Sequence, residues 1–185
     1  MKPVDRSEVL DYVTYGEQRD RIRAAALRAK SVRRILVGEH FTFLFENRET
    51  VLYQVQEMMR IERIVKEDDI AHEIDTYNEL IHPRGTIGCT LMVGIDDEAA
   101  RDLNLRAWLG MNEHIYAKLP NGDLVRPSWD PRQVGDDRLS SVQYLSFGIG
   151  EEAPAAIGIG MPGIDAETEL SGPQREALRE DLTAD

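Results

Sequence analysis

Cysteine is almost absent from the 185 residues. Cys89 stands alone, so no intrachain disulfide and no cysteine-built zinc or iron–sulfur site can form within one chain. It lies in the apolar run 85–95, where a thiol is expected to be buried and inert rather than reactive. Lysine is scarce as well, at Lys2, Lys30, Lys66 and Lys118 only, so most of the basic residues are arginine. No run approaches the ~18 apolar residues of a membrane helix. The first eight residues, Met1 to Glu8, lack the apolar stretch of a secretory signal, which makes cytoplasmic residence the expectation. Phosphate loops, a Gly-x-Gly-x-x-Gly opening a helix, a Gly-x-Ser-x-Gly elbow and His-Glu-x-x-His are all missing. The formal charge of -12 and pI near 4.8 argue against a general nucleic-acid binder, which needs a positive surface.

What is present suits one core. Forty-two per cent apolar residues suffice for a packed interior, and the length is that of one domain spanning 1–185, with 165–185 read as a short helix and a frayed end. Spacing predicts a helix from Ser7 to Lys30, interrupted near Gly16, and a hairpin over 33–45 in which Phe41, Phe43 and Phe45 alternate. Helices follow at Thr50 to Lys66, capped by Asn47 or Thr50, and at Asp68 to Ile81, capped by Asp68 or Asp69. A strand over Gly85 to Ile95 leads into a helix capped by Asp96-Asp97 that stops at Gly110. A hairpin turns at Pro120-Asn121-Gly122-Asp123, and in a strand over 140–149 Gln143, Leu145 and Phe147 share a face. One more strand falls in the Gly-rich stretch 151–164, and Ser171 opens a last helix. The fold class this implies is α+β, a mainly antiparallel sheet with helices packed on one face.

The central helix holds the one polar constellation that stands out. Gln54, Glu57, Met58, Ile61, Ile64 and Val65 fall on one stripe, so Gln54 and Glu57 interrupt an apolar face. A buried carboxylate needs a cation, a metal or several donors, and Arg60 at i+3 is the local candidate for Glu57. A structural ion-pair network is the plainer reading. The functional one places His40, Glu46 and Glu57, with Glu62, around a transition metal, or makes Glu57 a general acid or base in a small-molecule enzyme. Within Arg19 to Arg34, seven basic residues face one acid, Asp20, giving one positive island in an acidic chain.

The run Arg33 to Arg63, RRILVGEHFTFLFENRETVLYQVQEMMRIER, followed by EIDTYNELI over Glu73 to Ile81, closely resembles the family catalogued as domain of unknown function 3501. The Tyr15, Arg19, Lys30 spacing, the strand at Cys89, SVQYLSF over Ser141 to Phe147 and ALREDL over Ala177 to Leu182 match in order. The resemblance implies no assigned activity, and points to Glu46, Asn47, Thr50, Gln54, Glu57, Arg60 and Glu62 as the residues of interest. It also implies a redox setting, since members are often encoded beside a rubrerythrin-like protein and an iron–sulfur oxidoreductase. Two departures stand against a metal: members commonly show histidine where this chain has Gln143, and His-Pro where it has Met161-Pro162. The functional expectation is an accessory or partner protein of a rubrerythrin-type redox system, with a rubrerythrin-like or iron–sulfur protein as partner and self-association left open.

Overall fold

The computed structural model describes residues 1–185. Alternating side chains in extended segments point to opposite faces, and here one set points inward, such as Ile35 and Val37 in β1 and Leu145 and Phe147 in β6. Strands β1 (Arg34–Val37), β2 (Phe41–Phe45), β3 (Thr86–Val93) and β6 (Val142–Gly148) form one antiparallel sheet in the order β1-β2-β3-β6. Strands β4 (Ile115–Lys118), β5 (Leu124–Val125), β7 (Ala156–Met161) and β8 (Ile164–Glu169) form a second, ordered β5-β4-β7-β8. In the first sheet the register sets Ile35 opposite Phe43, Phe43 opposite Leu91 and Phe45 opposite Cys89. The inner faces of both sheets enter one cluster of 24 buried residues, which includes Phe43, Phe45, Leu91, Phe147, Ile115, Ile157 and Ile159. Each such fully buried side chain contributes about 1.5–3 kcal/mol relative to exposure.

The α+β class with antiparallel strands is the one the sequence predicts, but the strands divide between two sheets that share one core. The stretch after residue 150 supplies two strands, β7 and β8, and their Gly163 turn adopts φ 88°, a conformation suited to glycine. The C-terminal segment 165–185 is therefore mostly strand β8 and helix α5 (Gly172–Thr183), and α5 is anchored rather than frayed: Leu178 and Leu182 are fully buried in the main core. The capping box that Ser171 opens is present, with Gln174.

Helix α1 (Tyr12–Ser31) runs through Gly16 without a break and starts at Asp11, after a separate 3-10 turn at Arg6–Glu8. Helix α2 (Arg48–Glu62) is capped by Asn47 and stops at Arg63, whose left-handed φ of 56° sends its N–H to Met59 O. Helix α3 (Glu67–Asn78) has Lys66 at its cap with no side-chain bond. Asp68 and Asp69 instead sit in its first turn, where the dipole favours acids. Helix α4 (Glu98–Ala107) is capped by Asp97. A second, smaller core of eight residues ties α2 to α3 and to the N-terminal segment: Val4, Val9, Val51, Val55, Met59, Ile70, Ile74 and Leu80.

Leu80 joins this smaller core to the first sheet, and the join requires Gly88. A Cβ at Gly88 would lie 2.2 Å from Leu80 O and 3.2 Å from His82 Cδ2, so the backbone there has no room for a side chain. Gly88→Ala is expected to cost about 1–3 kcal/mol through forced displacement. Gly148→Ala, whose Cβ meets only Thr86 Oγ1 at 3.8 Å, serves as the control in thermal melts. Equal melting temperatures for the two would refute the steric account.

Candidate functional site

Helices α1 and α2 pack side by side in opposite directions, with Lys30 over the Tyr53 ring and Tyr15 and Arg19 reaching Glu57. The Glu57 carboxylate accepts from Tyr15 Oη at 2.6 Å, Arg19 Nε at 2.8 Å and Arg19 Nη2 at 2.9 Å. Arg60 stands further off, at 3.7 Å. The main partners thus come from another helix, and the i+3 residue Arg60, the candidate from local spacing, plays a secondary part. The forked Arg19 bond and the Tyr15 hydroxyl hold Glu57 ionised against the opposing effect of burial, and lower its pKa to about 2. Burial and the hydrogen bond to Glu57 push the fully buried Tyr15 hydroxyl well above the usual tyrosine range. A carboxylate so held is a poor proton acceptor at neutral pH, where general-base work calls for a pKa near the operating pH.

The buried stripe of α2 also differs from the predicted one. Val51, Val55 and Met59, at i, i+4 and i+8, face the smaller core, whereas Ile61 and Val65 are 62% and 69% exposed. The packing of α3 and of the N-terminal segment sets this orientation. Gln54 is half-buried, and it is Gln56 that is buried, pairing with both backbone groups of Leu10.

Glu46 precedes the α2 cap and is buried, accepting from Thr50 Oγ1 at 2.6 Å and Thr90 Oγ1 at 2.9 Å, which ties the helix start to β3. Asn47 caps Thr50 N at 3.0 Å and reaches Asp181 Oδ1 at 3.3 Å. Asp181 in turn receives the Arg33 fork at 2.6 and 3.1 Å, a buried pair that local spacing gave no reason to expect, because its members are 148 positions apart. Glu62 is exposed at the end of α2. His40 lies in the β1–β2 turn, its ring 6.1 Å from Trp108.

The structure therefore brings Glu57 to Tyr15, Arg19 and Arg60, and Glu46 to Thr50 and Thr90, without bringing His40 to either. No group of three or more His, Cys, Asp and Glu side chains is placed to hold a metal ion. Gln143, fully buried on the inner face of β6, accepts from Asn112 Nδ2 at 3.0 Å and donates to Ser140 O at 2.8 Å. Cys89 is free and fully buried, and burial raises its thiol pKa, which makes it a core side chain. No helix is long and apolar enough to cross a membrane.

Three main clefts open on the surface, and none has Gln54 or Glu57 in its wall. The largest, about 590 Å³, is lined by charges that pair with one another, such as Asp102 with Arg138. The next in interest holds His82, Tyr77, Trp129 and Tyr144. No spacing in the sequence joins these four, and only the fold brings them together.

Fold and cluster define a two-sheet α+β protein whose first two long helices are clasped by an arginine-locked carboxylate. The chain belongs to the family described as protein of unknown function (DUF3501), whose model matches residues 3–182. It is also similar to a crystal structure described as a novel protein of unknown function from Burkholderia pseudomallei K96243, with a TM-score of 0.90 and 26% identity over 98% of this chain and 100% of that one. No curated protein matches.

Proposed function

We propose that this protein is a non-catalytic accessory protein that docks through its α1–α2 face onto a redox partner of the rubrerythrin-like or iron–sulfur type. The observation that carries the docking role is the exposure of Ile61 and Val65 beside an ion-pair cluster that lines none of the three main clefts. Large apolar side chains left in water next to a rigid polar cluster mark a surface built for contact rather than for chemistry. Tyr12 and Val13, just before Tyr15 on the neighbouring helix, and Leu27 further along it, add to this exposed apolar surface. Exposed charges of both signs flank them, Arg23, Arg63 and Lys66 with Glu17, Asp20, Glu62 and Glu67, so the surface suits a partner with an apolar anchor point and a mixed-charge rim. The redox identity of that partner rests on the family resemblance.

The test is calorimetric titration with a purified rubrerythrin-like protein and an iron–sulfur oxidoreductase from the same organism. One of them is expected to bind, with Ile61→Asp weakening the complex by about 2 kcal/mol, roughly thirty-fold, as for a buried interface anchor. Added salt should weaken it further by screening the charges of the rim. Absence of binding by either protein, or a complex indifferent to Ile61→Asp, would sink this reading, and self-association through the same face would replace it.

A further inference from the structure

A cleft of about 430 Å³ lies between the end of α3, the outer face of β6 and the segment 128–133. That volume falls in the range of roughly 300–1,000 Å³ typical of small-molecule sites. Its walls carry three aromatic side chains, Tyr77, Trp129 and Tyr144, together with His82. The walls are fixed in place. Ser128 pairs its backbone with Ser146 in both directions, at 2.8 and 2.9 Å. Gln133 turns its side-chain amide on the backbone of Tyr144, accepting from its N–H at 2.7 Å and donating to its carbonyl at 2.8 Å. Trp129 is thereby held between two points anchored to the edge of the sheet.

His82 is half-buried, and no protein group hydrogen-bonds its imidazole. Burial pushes its pKa below the usual value, and the N-terminal amine, which donates to His82 O at 2.9 Å, acts in the same direction. The ring is therefore uncharged at neutral pH, with one nitrogen to donate and one to accept. No lysine or arginine lines the cleft. Its two carboxylates are Glu79 and Asp130, and Asp130 is already paired with Arg132. Phosphates and carboxylates find no counter-charge there, whereas flat rings find aromatic surface and a neutral hydrogen-bonding partner.

We propose that this cleft binds a flat nitrogen heterocycle, uncharged or cationic, with its ring against Trp129 and Tyr144 and a ring nitrogen hydrogen-bonded to His82. None of the lining residues of the cleft lies on α1 or α2, and the proposal does not rest on the docking reading.

The chain has two tryptophans, so the indole N–H signals of Trp108 and Trp129 can be told apart by nuclear magnetic resonance once Trp129→Phe removes one. Adenine and 4-aminoquinoline are the probes, with adenosine monophosphate as the charged comparison. At least one heterocycle should shift the Trp129 signal saturably, with a dissociation constant below about 1 mM. Tyr144→Ala, at an exposed position that leaves the core intact, should weaken that binding at least about ten-fold, His82→Leu by about five-fold, and the monophosphate should bind no more than a tenth as tightly as adenine. Silence from both heterocycles, equal binding of the monophosphate, or shifts unaltered by Tyr144→Ala would each overturn the proposal.

Discussion

Asp181→Ala is expected to remove about 3–5 kcal/mol of stability, the cost of leaving a buried cation without its partner. Arg33 and Asp181 have side chains only 9% and 8% exposed, so water cannot take the place of the lost carboxylate. The same Asp181 oxygen reaches Asn47, the cap of α2, so the loss also loosens that helix start. The result is read from urea unfolding. Because the penalty comes from the stranded guanidinium, the double variant Arg33→Met, Asp181→Leu should recover most of it. A single-variant cost below about 1 kcal/mol, the level of a surface pair, would show that the ion pair contributes little and that α5 is held by its other contacts, Leu178 and Leu182 foremost.

The second large effect belongs to Glu57. Its carboxyl pKa lies at about 2, against an ordinary value of 4.5. A pKa depressed by folding contributes stability that is fully present above the unfolded value and disappears on acidification. The window runs from pH 4.5 down to about 2. The displacement corresponds to at most about 3 kcal/mol, and less after allowing for the partial exposure of Arg19. Glu57→Gln should therefore lower stability by about 2–3 kcal/mol at neutral pH and flatten the acid limb of the stability profile. Tyr15→Phe, which removes one of the three donors, should cost about 1–2 kcal/mol. An unchanged acid limb in Glu57→Gln would mean that other carboxylates govern acid unfolding.

Much of the fold was legible because its signals are local. The alternation of Gln143, Leu145 and Phe147, the Asp97 cap and the Ser171 capping box each depend on residues a few positions apart, and each is present. The division into two sheets was not legible, since β4 pairs with β7 although β5 and β6 lie between them in the chain, and nothing in either sequence marks the choice. The oddity of Glu57 was legible, whereas its partners Arg19 and Tyr15, 38 and 42 positions earlier, were not, so spacing alone offered Arg60. The stripe on α2 failed for a related reason. Helical periodicity gives several candidate faces, and Val51, Val55 and Met59 are selected only when Val4, Val9 and Ile74 pack against them.

The pairing of Gln133 with Tyr144 has a consequence for behaviour in a crowded solution. A β-strand with a bare outer edge offers its unpaired N–H and C=O groups to any other extended chain and so invites aggregation. Here β6 is an outermost strand, and Ser128 and Gln133 occupy the bonding groups of Ser146 and Tyr144 that a foreign strand would need. At the opposite margin, Thr168 of β8 donates to Leu36 O of β1 at 2.8 Å, so the margins of the two sheets shield each other. The remaining margin is β5, two residues long, too short to template a growing fibre. The two antiparallel sheets of this α+β chain thus present little free strand edge to a second chain, with Gln133, Ser128 and Thr168 occupying the margins.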